Sequence, residues 1–95
     1  MADSTMLSML KTDLGISTST AYNTRLEQLL TAASQAIIAA GATTLNQADQ
    51  LDMQLIVMYA AWLWRRRDNM EGMPMMLRRA LNNRVFGEKA GGYGG

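Results

Sequence analysis

The 95-residue chain contains no cysteine and no histidine. Disulfides are therefore excluded, and the usual metal sites, thiol nucleophiles and imidazole bases cannot be assembled. The remaining groups for chemistry are five Asp and three Glu, and Asp13 and Glu27 each stand alone in their segments. No acid and base pair stands out, and the chain has no phosphate-binding loop, dinucleotide fingerprint or nucleophile motif. We expect no enzymatic activity, no metal and no cofactor, and a function exerted through contacts with other macromolecules.

Long hydrophobic runs are also missing. The apolar run from Leu55 to Trp64 covers ten residues, about half of the ~20 that cross a bilayer. No signal-peptide pattern opens the chain, so we expect a chain made in the cytoplasm with no membrane association. The hydrophobic content of 48% and the charged content of 18% are typical of a globular protein. A chain of this length predicts a single domain with one core, for which a subunit interface would add considerable stability.

Charge is unevenly distributed along the chain. Residues 1–64 carry two basic and five acidic side chains, whereas residues 65–95 carry seven basic and three acidic ones. The first two thirds are therefore negative and the last third is positive. This polarity favours head-to-tail docking on a partner of opposite sign, or a nucleic-acid contact confined to one end.

Apolar residues recur at helical spacing in four segments, which predicts an all-α fold, a compact bundle of about four helices. The predicted helices cover about 4–14, 21–40, 47–67 and 74–85. Gly15, followed by apolar Ile16, should end the first helix with a Schellman-type cap, and Gly41 should end the second helix. Asn46 should cap the third helix, with Asp49 in its first turn.

The third helix has apolar residues on two opposite faces: Leu51, Leu55, Met58, Tyr59 and Trp62 on one, and Met53, Val57, Ala60 and Trp64 on the other. A helix that is apolar all round is buried on every side. Two interpretations stay open, since either a second subunit covers one face or the other helices surround the third as a central rod. The candidate subunit-interface residues are Ile38, Met53, Val57, Trp62 and Trp64.

The fourth helix should start at Pro74, since proline is favoured in the first turn of a helix. Residues 1–86 are expected to form the bundle, and residues 87–95, which include five glycines, an extended tail that docks on a partner through Tyr93. The loop before the fourth helix is rich in methionine, and methionine suits surfaces that repack against a partner. The candidate partner-interface residues are Arg65, Arg66, Arg67, Met75, Met76, Arg78, Arg79, Phe86 and Tyr93.

Six arginines between Arg65 and Arg84 give the last two helices a superficial likeness to a helix-turn-helix pair. The connection between these helices contains Gly72 and Pro74 and is longer than the usual short turn, and the third helix is too apolar for a solvated positioning helix. A small helical DNA-binding protein that uses these arginines remains an alternative function. A homodimeric four-helix bundle serving as a chaperone or regulator is a third.

Four stretches taken together are distinctive: "MLKTDLGIS", "YNTRLEQLLTAASQAIIAAG", "DQLDMQLIVMYAAWLWRRRD" and "MPMMLRRALNNRVFG". In this order, over nearly the whole chain, they resemble the small head-tail connector, or adaptor, proteins of tailed bacteriophages. The resemblance implies a structural virion protein at the head–tail junction that completes the head. It further implies a homo-oligomeric ring, expected to be a dodecamer, that docks on the portal protein and carries a tail-side completion or terminator protein.

The same resemblance implies that DNA passes through the ring without sequence-specific binding. Residues 86–95 occupy the position of the family's C-terminal segment, which engages the portal. Because exposed arginines in the channel would retard DNA, we expect most arginines to pair with protein carboxylates. The chain departs from some connectors in leaving little room for a long tail-facing loop.

Overall fold

The computed structural model describes the backbone of residues 4–66 and 72–94, and the side chains of residues 5–66 and 72–88. Four helices follow one another: α1 (Ser4–Leu14), α2 (Asn23–Ala39), α3 (Gln50–Arg66) and α4 (Met75–Gly94). The predicted all-α fold of four helices is confirmed over this part of the chain. No helix within it has a stretch both long enough and apolar enough to cross a membrane.

Successive helices run in alternating directions. Trp64, near the end of α3, lies edge-on against Tyr22 at the start of α2, with ring centroids 5.3 Å apart. Arg65 lies beside Asp13 near the end of α1. These contacts make α2 antiparallel and α1 parallel to α3, as short connections between neighbouring helices favour.

Helix α4 runs antiparallel to α3, because Met76 at its start lies beside Trp62 near the end of α3, and Arg84 at its middle binds Asp52 in the first turn of α3. The chain therefore has two ends. The first contains the end of α1, the start of α2, the end of α3 and the start of α4. The second contains the loop of residues 40–49, the start of α3 and the second half of α4.

The core lies along α3, which packs against all three other helices. Each full burial of a large apolar side chain stabilises the fold by about 1.5–3 kcal/mol. The largest side chains that are fully buried come from all four helices: Met6, Leu10, Leu26, Leu30, Ile37, Ile56 and Leu77.

On the face of α3 that carries Met53 and Val57, the structure agrees with the central-rod interpretation. Met53 is 9% exposed and Val57 is 6% exposed, because the other helices of the same chain cover this face. The prediction that these two residues form a subunit interface is therefore wrong.

The predicted ends of α1 and α2 are confirmed. At Gly15 (φ +75°) the N–H of Ile16 donates to the carbonyl of Lys11 at 2.9 Å. At Gly41 (φ +129°) the N–H of Ala42 donates to the carbonyl of Ile37 at 3.3 Å. Both are Schellman bonds, and both glycines adopt the positive φ that side chains disfavour.

The start of α3 differs from the prediction. The Asp49 carboxylate accepts hydrogen bonds from the N–H groups of Leu51 (2.9 Å) and Asp52 (3.2 Å), so Asp49 is the cap. The Asn46 side chain instead accepts from the N–H of Ala48 within the preceding loop. The helix therefore begins at Gln50, three residues later than predicted.

Helix α4 begins directly after Pro74, whose carbonyl accepts from the N–H of Arg78. It continues past the predicted end at Val85 through Gly87 and Glu88. Two contacts explain the longer helix: Val85 packs against Gly41, and Glu88 accepts a hydrogen bond from the loop of residues 40–49. The predicted boundary between bundle and tail is therefore corrected to lie beyond Glu88, and docking of the later residues on a partner stays a prediction.

Substitution Gly41→Ala is expected to lower the free energy of unfolding by about 1–3 kcal/mol. Alanine at this position would have to keep φ at +129°, which residues with a side chain disfavour. Its Cβ would also lie 2.9 Å from Cγ1 of Val85. The midpoint of urea unfolding measures the loss.

The matched control is Gly87→Ala, where a Cβ would meet no atom within 4 Å. Because Gly87 lies within α4, alanine there should raise stability by up to about 1 kcal/mol. Equal effects of the two substitutions would contradict the close packing of Gly41 on Val85.

Candidate functional site

One end of the molecule is organised around the Arg84 guanidinium. Its Nε lies 2.7 Å from Oδ1 of Asp52, and its Nη2 lies 3.2 Å from Oδ2 of the same carboxylate. Nη1 is 3.4 Å from Oε2 of Glu88, and Nη2 also donates to the Thr44 hydroxyl at 3.2 Å. The Asp52 side chain is 7% exposed, so this is a largely buried bidentate pair.

The loop of residues 40–49 completes this network. Glu88 accepts from the hydroxyl of Thr43 and from the N–H of Thr44 (3.1 Å). The N–H of Asn46 donates to Oδ2 of Asp52 at 2.9 Å. We call the set of Thr43, Thr44, Asp52, Arg84 and Glu88 the Arg84 network, and it joins the loop, α3 and α4.

The two carboxylates of the Arg84 network are held in their ionised forms. Burial alone raises the pKa of Asp52, but hydrogen bonds from Arg84 and the Asn46 amide, with the charge of Arg84, outweigh burial and lower it. The hydrogen bond from Thr43 lowers the pKa of Glu88, with further lowering by the Thr44 amide and by Arg84. Such a satisfied network positions helices, and it makes Arg84 unavailable to an external anion.

The opposite end of the molecule carries several exposed arginines. Arg65 faces Asp13 at 3.6 Å, but both side chains are more than half exposed, and such a pair is worth at most about 1 kcal/mol. Arg66 lies over the Trp62 ring, 5.1 Å from its centroid. We call Arg65, Arg66, Arg78 and Arg79, with the adjacent Met75 and Met76, the basic end.

Exposed methionines accompany these arginines. Met75 is 70% exposed and Met76 is 76% exposed. Arg78 and Arg79 are exposed as well, and no carboxylate within the described part of the chain forms an ion pair with either. This combination of apolar and cationic surface suits an acidic protein partner or an anionic polymer.

A pocket of about 240 Å³ opens at the basic end between α1, α3 and α4. Met76 and Arg65 lie at its wall together with Trp62. The Trp62 ring meets Tyr59 edge-on at 5.4 Å. Its indole N–H is buried and has no acceptor among the described residues, and a buried donor without a partner is uncommon.

The end that holds the Arg84 network carries three carboxylates, those of Asp49, Asp52 and Glu88, against one described guanidinium. Two large apolar side chains are exposed there, Leu51 (73%) and Phe86 (69%). We call these carboxylates with Leu51 and Phe86 the acidic end. An open groove of about 440 Å³ between α3 and α4 also starts at Leu51.

The remaining predicted interface residues fall in different places. Ile38 is 42% exposed on α2. Trp62 is half-buried at the pocket, and Trp64 is half-buried and packs against Tyr22. Arg67 lies outside the described residues, and so does the side chain of Tyr93.

Sequence reasoning missed Leu51 as a surface residue. It shares an apolar face with Leu55 and Met58, which favoured burial for all of them. However, Leu51 lies in the first turn of α3, where it is 73% exposed. The Asp49 cap was the signal that could have identified it, since a cap fixes where a helix begins.

No protein-family model matches this chain, and no curated protein or solved structure is detectably similar to it.

The protein should lose stability on acidification. Asp52 and Glu88 have pKa values in the folded state below their usual values, so their contribution is complete above about pH 5 and is lost as the pH falls below about 4. Urea unfolding as a function of pH measures this dependence.

Substitution Arg84→Gln should lower the free energy of unfolding at neutral pH by about 2–3 kcal/mol, because it leaves the Asp52 carboxylate buried without its cation. It should also flatten the acid dependence. Arg65→Gln is the control, since its exposed pair should contribute less than about 1 kcal/mol. An Arg84→Gln protein with the wild-type acid dependence would contradict the role of the Arg84 network.

Proposed function

We propose that this chain is a structural subunit of an assembly, a head-tail connector or adaptor of a tailed bacteriophage that forms a ring between portal and tail. One observation carries the proposal: a chain of 95 residues exposes large apolar side chains at two opposite ends, and the described charges of these ends have opposite sign. A ring subunit requires two different contact surfaces, because heterologous contacts close by rotation. The likeness of the sequence to connector proteins supplies the specific class.

The proposed contact with the portal involves the C-terminal residues beyond Glu88 together with the arginines on the outer side of α4. Arg78 and Arg79 are exposed there, and Met75 lies beside them. A cationic surface with flexible apolar side chains fits an acidic, irregular protein surface. The ring would complete the head, carry the tail-side completion protein and let DNA pass.

DNA binding is the second candidate, since Arg66, Arg78 and Arg79 are exposed at one end. Two observations favour a protein partner instead. First, hydrogen bonds and ion pairs within the protein occupy Arg84. Second, methionine side chains are exposed at the basic end, and phosphates are bound by polar and charged groups instead. Arg65 and Arg84 face carboxylates, but within the described residues Arg66, Arg78 and Arg79 form no ion pair, which departs from the expectation that most arginines pair.

Deletion of residues 90–95 should leave the protein folded and abolish its binding to the purified portal protein of the same phage. The helical circular-dichroism signal and the thermal midpoint check folding, and co-sedimentation with portal rings checks binding. Substitution Gln35→Ala on the exposed side of α2 serves as a control that should change neither. Undiminished portal binding by the truncated protein would count against the assigned docking segment.

Electrophoretic mobility shifts on duplex DNA separate the connector from the DNA-binding alternative. A connector subunit should bind duplex weakly, and binding should disappear at about 200 mM salt. A DNA-binding protein should retain tight binding, and Arg78→Gln with Arg79→Gln should reduce the salt slope by about two. Tight, sequence-selective binding at physiological salt would overturn the connector proposal.

A further inference from the structure

We infer that a groove along α3 and α4 binds one amphipathic helix of another protein, whose first turn is acidic and whose last turn is basic. The groove consists of the two cavities described above, one of about 440 Å³ that starts at Leu51 and one of about 240 Å³ at Trp62. We call this surface the α3–α4 groove. The inference goes beyond the proposed function, since it requires neither a ring nor a portal.

The two cavities form one continuous surface. Met58 lines both of them. The α3 residues along this surface are Leu51, Leu55, Met58, Trp62 and Arg65, which follow one another at alternating intervals of four and three residues. This spacing places them on one side of the helix. At ~1.5 Å per residue the groove extends about 21 Å along α3, which is the length of a helix of about 14 residues.

Helix α4 forms the second wall with the same spacing. Met76, Ala80 and Asn83 line the groove at intervals of four and three residues. Alternating intervals of four and three are the seam spacing by which helices pack side chains into one another's holes. Two neighbouring helices that both present this spacing offer a third helix a seam in which to pack.

Helix α1 leaves half of this side of α3 open. It has 11 residues against 17 in α3, and Asp13 near its end lies beside Arg65 near the end of α3. Since the two helices are parallel, α1 reaches back only to about the middle of α3. In the open half Leu55 forms the floor at 5% exposed, whereas Leu51 is 73% exposed at the rim.

The lining of the groove favours a helix over an extended segment. An extended segment would leave its backbone N–H and C=O groups unpaired against Leu55 and Met58, and the described residues contain no strand edge that could pair them. A helix satisfies its own backbone groups and presents an apolar stripe to such a groove. The exposed amides of Gln54 and Asn83 remain at the rim for polar side chains of the bound helix.

Charge complementarity sets the composition and direction of the bound helix. At the Leu51 end of the groove lies the acidic end, where three carboxylates face the one described guanidinium, that of Arg84. At the Trp62 end lies the basic end, where four arginines stand against the Asp13 carboxylate. Complementary potentials fix the register of a contact. The acidic first turn of the bound helix therefore lies at the basic end and its basic last turn at the acidic end, a charge pattern that its own dipole also favours.

Three synthetic peptides of about 18 residues, long enough to form a helix, test the proposal. The first has leucine at the seam spacing, glutamate in its first turn and lysine in its last turn. The second has glutamine in place of every leucine. The third keeps the leucines and has lysine in both end turns, so it places like charge against the basic end.

Fluorescence and calorimetry measure binding. In a Trp64→Phe protein Trp62 is the one remaining tryptophan, and the first peptide should shift its emission to shorter wavelength as the groove closes over the ring. Isothermal titration calorimetry on the wild-type chain gives the dissociation constant, which should rise as salt increases from about 50 to 500 mM. The second peptide should not bind, and the third should bind about tenfold more weakly than the first.

Two variants of the chain locate the site. Leu51→Ala removes a side chain at the rim of the groove and should weaken binding of the first peptide by about tenfold. Phe86→Ala is the matched control, because Phe86 is similarly exposed at 69% but lines neither cavity, and it should leave binding unchanged. Equal losses in the two variants, equal binding of the leucine and glutamine peptides, or no binding of the first peptide would each overturn the inference.

Discussion

The bidentate pair between Arg84 and Asp52 is the interaction on which the arrangement of the chain depends. Among its described side chains, those of residues 75–88, helix α4 contributes one large side chain that is fully buried, Leu77 near its start. Further along the helix polar contacts hold it, with the Arg84 guanidinium bound to Asp52 and Glu88 bound to the loop of residues 40–49. This pairing also affects the surface charge of that end of the molecule. Arg84, the one described arginine there, is largely buried in the pair, and carboxylates surround it.

Helical periodicity and glycine chemistry predicted most of the fold. The ends of α1 and α2 follow directly from Gly15 and Gly41, since a positive φ after an apolar run is a local property that neighbouring residues determine. The start of α3 was less accurate because Asn46 and Asp49 are both capable caps. Only the three-dimensional path of the loop assigns Asn46 to a turn and Asp49 to the helix.

The interaction surfaces were harder to predict for a physical reason. Periodicity shows that α3 is apolar on two faces, but it does not show which face the other helices cover. Met53 and Val57 are covered by other helices, whereas Leu51, in the exposed first turn of α3, is not. The partnership of Arg84 with Asp52 joins residues 32 positions apart, so neither local spacing nor composition could identify it. By contrast, the exposure of Ile38 followed from its position on an otherwise polar face of α2.

The shallow anchoring of α4 has a consequence for the dynamics of the molecule. Helices α1, α2 and α3 share a continuous apolar core, whereas the described part of α4 adds Leu77 in full and Ala80, Leu81 and Val85 in part. A segment with few buried apolar contacts opens at a lower free energy than the remainder of a domain. We therefore expect the amide hydrogens of α4 to exchange with solvent through local opening more readily than those of the other three helices.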